Sequence, residues 1–312
     1  MMGVPNEKKT SYSRTLRRMY QGRYVYLLML PGIIYFIIFK FVPMGMLGII
    51  FQDYNPYVGM AGSQWVGLKH FKELIQDDYF YLMLRNTLCI NFLNLLFHFP
   101  VPIILALLLN EIKNDKFKRF NQTMLYLPHF LSWVIVASMT FFLLSVDVGV
   151  VNKALVSMGS PTVSFLSEPK LFWGIIVSQN IWKEAGWGTI IFLAAISAVD
   201  MEQYEAAVMD GAGRLQKIWY ITLPAIAPTI VTLLILKLGT ILNVGFEQIL
   251  LMANPSVNSV AEVFDTYAYR LGIIQGNISF ASAVSVFKGF VGCLFVWVSN
   301  RIVKKMGYEG IY

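Results

Sequence analysis

Two adjacent ionisable residues, Lys183 and Glu184, interrupt an apolar stretch that runs from residue 171 to residue 199. Charged side chains in such a stretch are costly unless they face water or a polar partner, so they are functional candidates by default. Adjacent residues on a helix point about 100° apart, so we do not expect these two to pair simply with each other. Residues three and four apart share a face. Two polar stripes result: Gln179, Lys183 and Trp187, and beside them Asn180, Glu184 and Gly188.

These two stripes, together with Trp182, predict a wall that faces a hydrated passage through the protein. The flat faces of Trp182 and Trp187 suit stacking on sugar rings. Asn243 and Glu247, near the outer end of a later apolar stretch, are further candidates for the passage. The alternative is a structural polar network that holds neighbouring helices together.

Motifs for catalysis or metal binding are missing from the sequence. It contains no phosphate-binding loop of the form G-x-x-x-x-G-K-[ST], no nucleophile elbow and no metalloprotease pattern. The three histidines are far apart, no C-x-x-C pair occurs, and both cysteines lie in apolar runs, where they are expected to pack. We therefore expect no enzyme activity, no metal site and no cofactor in this chain.

The composition excludes a soluble or a disordered protein. Of the 312 residues, 56% are hydrophobic and 14% are charged, against about 25% charged in ordinary soluble domains. The mean hydropathy is +0.58. So much apolar side chain must face lipid, because two small cores could not enclose it.

Six stretches are long enough to cross a bilayer, which needs about 20 apolar residues as helix. The first is too long and too far inside the chain for the core of a signal peptide, so we expect a retained helix. The predicted spans are Tyr24–Phe51, Thr87–Leu109, Met124–Leu144, Leu171–Val199, Pro224–Val244 and Phe280–Ile302.

The distribution of lysine and arginine predicts the orientation of these spans. With the N-terminus inside, the inner segments hold more than twice as many of these residues as the outer segments. Basic residues favour the cytoplasmic side. An even number of spans then places both termini in the cytoplasm. The predicted layout is a basic N-terminal segment (1–23), a six-span domain (24–303) that contains a cytoplasmic loop (200–224), and a C-terminal tail (304–312).

The inner loop at 200–224 predicts a short helix over 201–210. Asp200 can cap it, with Gln203 in the return position of a capping-box-like arrangement, and Gly211 can end it in the left-handed conformation. Tyr204, Ala207 and Val208 fall on one face by their spacing. Such a helix could lie in the lipid headgroups, but the loop has several acids and few basic residues, which favours a protein partner.

The same loop carries a recognisable motif. Glu205-Ala206-Ala207, then Gly211, then Ile221-x-Leu223-Pro224 matches the EAA motif of ABC importer permeases at every fixed position. The chain resembles the permease subunits of binding-protein-dependent sugar importers of the maltose type, and among them those for complex oligosaccharides. The resemblance covers residues 24–312. It extends to the stretches at 182–196, 243–255, 261–272 and 307–312.

This resemblance implies a six-span, all-α permease fold of the type I ABC importers in a bacterial cytoplasmic membrane. It implies that the helix around Glu205 couples the spans to a cytoplasmic ATPase, which would bind ATP and Mg. The expected partners are a second homologous permease in a heterodimer, two ATPase subunits, and an extracytoplasmic sugar-binding protein. The expected coupling residues are Glu205, Ala206, Ala207, Asp210 and Gly211.

The charges inside the spans bear on the substrate. Lys40, Lys183, Lys237 and Lys288 stand against the single acid Glu184. A passage biased toward positive charge would suit an anionic oligosaccharide such as a uronate chain, and a neutral oligosaccharide is the alternative. Lys40 could instead extend to the outer interface, and Lys237 and Lys288 could pair with neighbouring spans.

Outside the permease class, the alternative function is a secondary transporter or channel that works alone. Such proteins often contain repeated halves, and the sequence shows no repeat.

Overall fold

The structure, a computed structural model, describes residues 20–307 and residue 310. Most of the predicted basic segment 1–23 and part of the tail 304–312 therefore lie outside the described residues. The chain separates into two compact units, Met1–Leu68 and Lys69–Tyr312. Almost all regular structure in the described residues is helical, which confirms the all-α prediction.

The first unit contains one long apolar helical segment, Arg23–Phe51, whose side chains are mostly exposed, as expected of a helix that faces lipid. Pro43 follows a π-helical turn and lacks the N–H that a regular helix would use, which accounts for the change of helix type there. The elements of this unit are α1 (Arg23–Phe36), the π-helical turn Ile37–Phe41, α2 (Val42–Gly45), the 3-10 turn Met46–Phe51, and antiparallel strands β1 (Gln52–Asp53) and β2 (Gln64–Trp65) around α3 (Gly59–Gly62).

The second unit is a bundle of long helices joined by short ones. Up to the predicted loop at 200–224, its elements are α4 (Lys69–Gln76), α5 (Phe80–Leu93), the π-helical turn Asn94–His98, α6 (Pro100–Asn110), α7 (Asp115–Tyr126), the 3-10 turn Leu127–Phe130, α8 (Trp133–Leu144), α9 (Val150–Ser157) and α10 (Pro169–Ser197). From that loop onward they are α11 (Met201–Met209), α12 (Arg214–Lys217), the π-helical turn Ile218–Thr222, α13 (Leu223–Gly239), α14 (Phe246–Met252), the 3-10 turn Pro255–Val257, α15 (Asn258–Ala261), α16 (Phe264–Tyr269), the π-helical turn Arg270–Ile274 and α17 (Ile278–Lys305).

Four helical segments of the described residues are long and apolar enough to cross a membrane by themselves. They are Arg23–Phe51, Phe80–Asn110, Arg214–Gly239 and Ile278–Lys305. Two bent pairs of helices pass the same test together, Asp115–Phe130 with Trp133–Leu144 and Pro169–Ser197 with Met201–Met209, and they bring the number to six if each pair is one span. The chain is therefore a multi-pass membrane protein.

The third predicted span, Met124–Leu144, is wrong as a continuous helix. The axis turns by 98° between Asp115–Phe130 and Trp133–Leu144. Pro128 lies in the 3-10 turn, and Ser132 takes an extended conformation and starts α8 by accepting a hydrogen bond from the N–H of Ile135 at 3.3 Å. Hydropathy alone missed this break because the residues on both sides of it are apolar.

The fifth predicted span, Pro224–Val244, is displaced along the chain. Its helix starts at Arg214, passes through the π-helical turn at Ile218–Thr222 and ends at Gly239. Polar residues such as Arg214 and Lys217 concealed its start. The connection after α11 is consequently much shorter than the 200–224 loop predicts.

Small residues let the long helices approach closely, as is common in membrane bundles. A Cβ built on Gly186 would lie 1.9 Å from the carbonyl oxygen of Leu125, so the backbones of α7 and α10 are in direct contact at this point. A Cβ on Gly292 would lie 2.3 Å from the carbonyl oxygen of Gly239, at the crossing of α13 and α17. The apolar cluster closest to the loop joins α6, α10 and α13 through Ala106, Phe192, Ile196 and Ile226.

Candidate functional site

Lys183 and Glu184 form an ion pair, which corrects the prediction that they do not pair with each other. Lys183 Nζ lies 3.0 Å from Glu184 Oε1 and donates a second hydrogen bond to the carbonyl oxygen of His129 at 2.7 Å. The length of the lysine side chain overcomes the angle between neighbouring residues on the helix. The other carboxylate oxygen of Glu184 lies 2.7 Å from Nδ1 of His129. We call these three residues the charge cluster.

The charge cluster is surrounded by aromatic rings. The imidazole of His129 stacks on the indole of Trp187, with 4.4 Å between ring centroids and 5° between planes, and Phe130 meets Trp187 edge to face. The ammonium of Lys183 lies 5.3 Å from the ring of Trp133. Lys183 is only 6% exposed, whereas Glu184 and Trp187 retain open surface. Glu184 and Trp187 are therefore accessible to another molecule, as the predicted passage requires.

Gln179 belongs to a buried network, which is the structural alternative that its sequence position left open. Its side chain donates to Thr140 Oγ1 at 2.7 Å and accepts from Nε2 of Gln248 at 2.8 Å. Gln248 also donates to the carbonyl oxygen of Ile176 at 2.9 Å. These bonds tie α8, α10 and α14 together.

The other predicted passage residues are distributed over several surroundings. Asn180 donates to Oδ1 of Asn94 at 3.2 Å and is partly buried. Trp182 does not join Trp187, because it lines a separate apolar groove of about 590 Å³ between α8 and α10. Asn243 and Glu247 are exposed on either side of the start of α14. The predicted wall is thus divided between the charge cluster, the buried network and the groove.

Sequence reasoning missed His129 and three asparagines, Asn86, Asn91 and Asn94, which lie in or just before the second predicted span. Asn86 donates to the carbonyl oxygens of Ser259 and Glu262, and Asn91 donates to those of Ile241 and Asn243. Their signal was visible, since each is an uncharged polar residue inside an apolar segment, where an interhelical hydrogen bond is expected. His129 was harder to recognise as a functional candidate, because the only unusual feature of its sequence position is the preceding Pro128.

The remaining lysines within predicted spans differ in their partners. Lys288 pairs with Asp265, so it is neutralised. No hydrogen bond or ion pair of the Lys237 side chain is found among the described residues, and this residue is only partly buried. Outside the spans, burial and a hydrogen bond to Asp77 raise the pKa of Tyr267, which therefore stays a neutral donor at physiological pH.

No group of three or more potential metal-ligating side chains occurs in the part of the chain that the structure describes.

The predicted coupling residues lie on and just after helix α11, whose ends are both capped. Asp200 accepts a hydrogen bond from the N–H of Glu202 at 3.0 Å. Gly211 has φ of +79°, and the N–H groups of Gly211 and Ala212 bond to the carbonyl oxygens of Val208 and Ala207, which is a Schellman ending. The predicted cap at Asp200 and the left-handed glycine are therefore confirmed.

The face predicted from Tyr204, Ala207 and Val208 is divided in the structure. Tyr204 turns toward its own chain and bonds to Thr222 Oγ1 at 2.9 Å, and Ala207 is partly buried behind the helix. The outward surface is a different one, which we call the α11 stripe. It consists of Glu205 and three exposed apolar side chains, Met201, Val208 and Met209.

Of the other predicted coupling residues, Ala206 is exposed and lies at the edge of the stripe. Asp210 is exposed at the C-terminal end of α11, and Gly211 ends the helix. A helix with an acid among exposed methionines and a valine can insert into a groove on a partner and meet a basic group there.

Comparison with known proteins agrees with these features. Residues 98–307 match the family described as "Binding-protein-dependent transport system inner membrane component". The chain is 53% identical over 305 residues to the polygalacturonan/rhamnogalacturonan transport system permease protein YteP of Bacillus subtilis (strain 168), covering 98% of this chain and 95% of that protein. It is 51% identical to LplB of the same organism with the same coverage.

The fold also matches solved structures. One chain of a bacterial ABC transporter "involved in the import of the acidic polysaccharide alginate" is 41% identical, with a TM-score of 0.85 over 94% of this chain and 99% of that chain. A chain of a bacterial alginate ABC transporter in complex with an alginate pentasaccharide-bound periplasmic protein is 40% identical, with a TM-score of 0.86 over 96% and 100%. The chain therefore belongs to the inner membrane components of binding-protein-dependent transport systems, and it is a permease subunit of an ABC sugar importer.

Proposed function

We propose that this permease carries acidic oligosaccharides of the uronate type into the cell by alternating access. It would do so with a second homologous permease, two ATPase subunits that bind ATP and Mg, and an extracytoplasmic sugar-binding protein. Two related proteins with acidic substrates in their names, the polygalacturonan permease and the alginate importer, support the substrate class. Both termini and α11 would then face the cytoplasm.

The α11 stripe is the observation that supports the coupling role. The side chains of this stripe pack little against their own chain, and Met201 and Met209 are consequently 65% and 87% exposed. Exposed apolar side chains on a capped helix are costly in water and favourable in a protein groove. Closure of the ATPases would push on this helix, and α10, which precedes it, would pass the displacement to the charge cluster.

Co-purification from gently solubilised native membranes tests the coupling role. A Met201→Glu variant places a charge in the α11 stripe, and Gln203→Glu places the same charge in the same helical turn on the opposite side. Both positions are exposed and close to the helix N-terminus, where an added acid is tolerated. We expect Met201→Glu to lose most of the bound ATPase and Gln203→Glu to keep it.

Retention of the second permease in both variants would show that the membrane part is intact. Equal retention of the ATPase by both variants would refute the role of the stripe. Recovery of the wild-type chain without any ATPase would favour a transporter that works alone.

A further inference from the structure

Lys237 lies within the apolar helix α13, and the described residues offer its ammonium no acid or carbonyl at bonding distance. Lys183 pairs with Glu184, and Lys288 pairs with Asp265. An ammonium inside a membrane span is costly unless it faces water, a partner or a ligand. The lack of a fixed partner for Lys237 therefore needs an explanation.

Position along α13 places Lys237 at the level of the charge cluster. Ile230 and Leu233 of this helix pack on the apolar cluster that contains Ala106 and Phe192. Lys237 lies one helical turn beyond Leu233 on the same face. Because α10 and α6 run in the opposite direction, about two helical turns back along the chain from Phe192 and Ala106 lead to Glu184 and His98.

Electrostatic interactions support this placement. Lys237 interacts with Glu184, and His98 interacts with both of them. The imidazole Nε2 of His98 is buried and has no hydrogen-bond partner among the described residues. His98 also ends the π-helical turn that starts at Asn94, and such turns occur frequently at functional sites.

The charges of the side chains around Lys237 and the charge cluster do not sum to zero. Lys183 and Lys237 carry two positive charges, Glu184 carries one negative charge, and His98 and His129 are counted as neutral, which leaves a net charge of +1. Lys183 is held by Glu184 and by the backbone, so the excess charge is located on Lys237. One carboxylate bound next to Lys237 would bring the net charge of this group to zero.

We infer that Lys237 and His98 form a carboxylate-binding subsite in the passage, which receives one acidic sugar unit during transport. The inference rests on the proposed uronate substrate. The ammonium would provide a charge-assisted hydrogen bond and the imidazole a second donor through Nε2. Trp187, stacked on His129 beside Glu184, would offer an aromatic face to the same or the next ring.

Uptake of two matched substrates by the complete importer tests the subsite. The probes are a trimer of galacturonate and its fully methyl-esterified form, which has the same length without the charges. The variants are Lys237→Met, which removes the charge, and Lys237→Arg, which keeps it. Uptake is measured in cells that contain the permease with its native partner subunits and binding protein, with competition between the two trimers for the same permease.

We expect Lys237→Met to reduce uptake of the acidic trimer about tenfold relative to that of the ester, on the order of one charge-assisted hydrogen bond. Lys237→Arg should keep most of the wild-type preference. An equal loss for both trimers with Lys237→Met, or an unchanged ratio, would overturn the subsite while the proposed uronate transport by the wild type stands. Failure of the wild type to take up the acidic trimer would overturn the proposed substrate class and the subsite with it.

Discussion

At the scale of single residues, the polar side chains of α10 contact partners elsewhere in the chain. Lys183 and Glu184 pair with each other, and both contact His129, which is more than 50 residues away in the sequence. Gln179 is held in a similar way, because Thr140 and Gln248, which bond to its side chain, lie on other helices.

Removing the charge of Glu184 should destabilise the protein through its partner. In Glu184→Gln the buried ammonium of Lys183 loses its counter-charge, which we expect to cost about 2 kcal/mol. Breaking a fully buried pair costs about 3–5 kcal/mol, and the value is smaller here because the side chain of Glu184 is 30% exposed. The midpoint of thermal unfolding in mild detergent, followed by tryptophan fluorescence, should fall by several degrees.

The double variant Lys183→Met, Glu184→Gln is the control for this effect. It removes both charges, so it should recover part of the lost stability. If Lys183→Met is also measured alone, a double variant that loses the sum of the two single losses would show that the two side chains act independently.

At the scale of elements, local signals predicted helix ends better than helix paths. Asp200 and Gly211 bound α11 as their types suggest, because caps depend on neighbouring backbone groups. The 98° turn before α8 depends on Pro128 and Ser132 within an apolar run, and hydropathy does not distinguish such a turn from a continuous span. The direction of Tyr204 depends on Thr222, on the next helical segment.

The ending of α11 requires a glycine at residue 211. Gly211 has φ of +79°, so Gly211→Ala should strain the loop by about 1 kcal/mol and displace the helix that carries the α11 stripe. We expect ATP-dependent uptake to fall several-fold at normal levels of the protein in the membrane.

Gly213→Ala is the matched control for Gly211, because Gly213 has φ of −70° and a Cβ there meets only Oε1 of Gln216 at 3.6 Å. It should transport at the wild-type rate. Equal transport by both alanine variants would contradict the role of the left-handed ending.

The contact between α7 and α10 requires a glycine at residue 186. In Gly186→Ala the new methyl group would meet the backbone of Leu125, so the 3-10 turn that carries His129 must move away from Glu184. We expect a loss of about 1–3 kcal/mol, as for other overpacked sites, seen as a lower midpoint of thermal unfolding. Gly174→Ala on the same helix has nothing within 4 Å of its Cβ, and an equal loss in that variant would refute the argument from close packing.

At the scale of the whole molecule, composition and the EAA motif were sufficient for the class of protein. Lipid-facing surface and the loop around Glu205 are properties of the sequence itself, and the family match over residues 98–307 confirms the permease fold. The arrangement of charges was less accessible. Two of the lysines that suggested a positive passage, Lys183 and Lys288, are neutralised by acids, so within the second unit the positive bias is concentrated on Lys237.

ATP-driven uptake by the purified complex, reconstituted in lipid vesicles, tests the central claim most directly. Vesicles would be loaded with ATP and Mg and supplied outside with the binding protein and a labelled galacturonate oligomer. We predict accumulation against a gradient only when ATP is inside and the binding protein is outside. Accumulation that needs neither of them, or that follows an ion gradient, would contradict the account and identify a transporter that works alone.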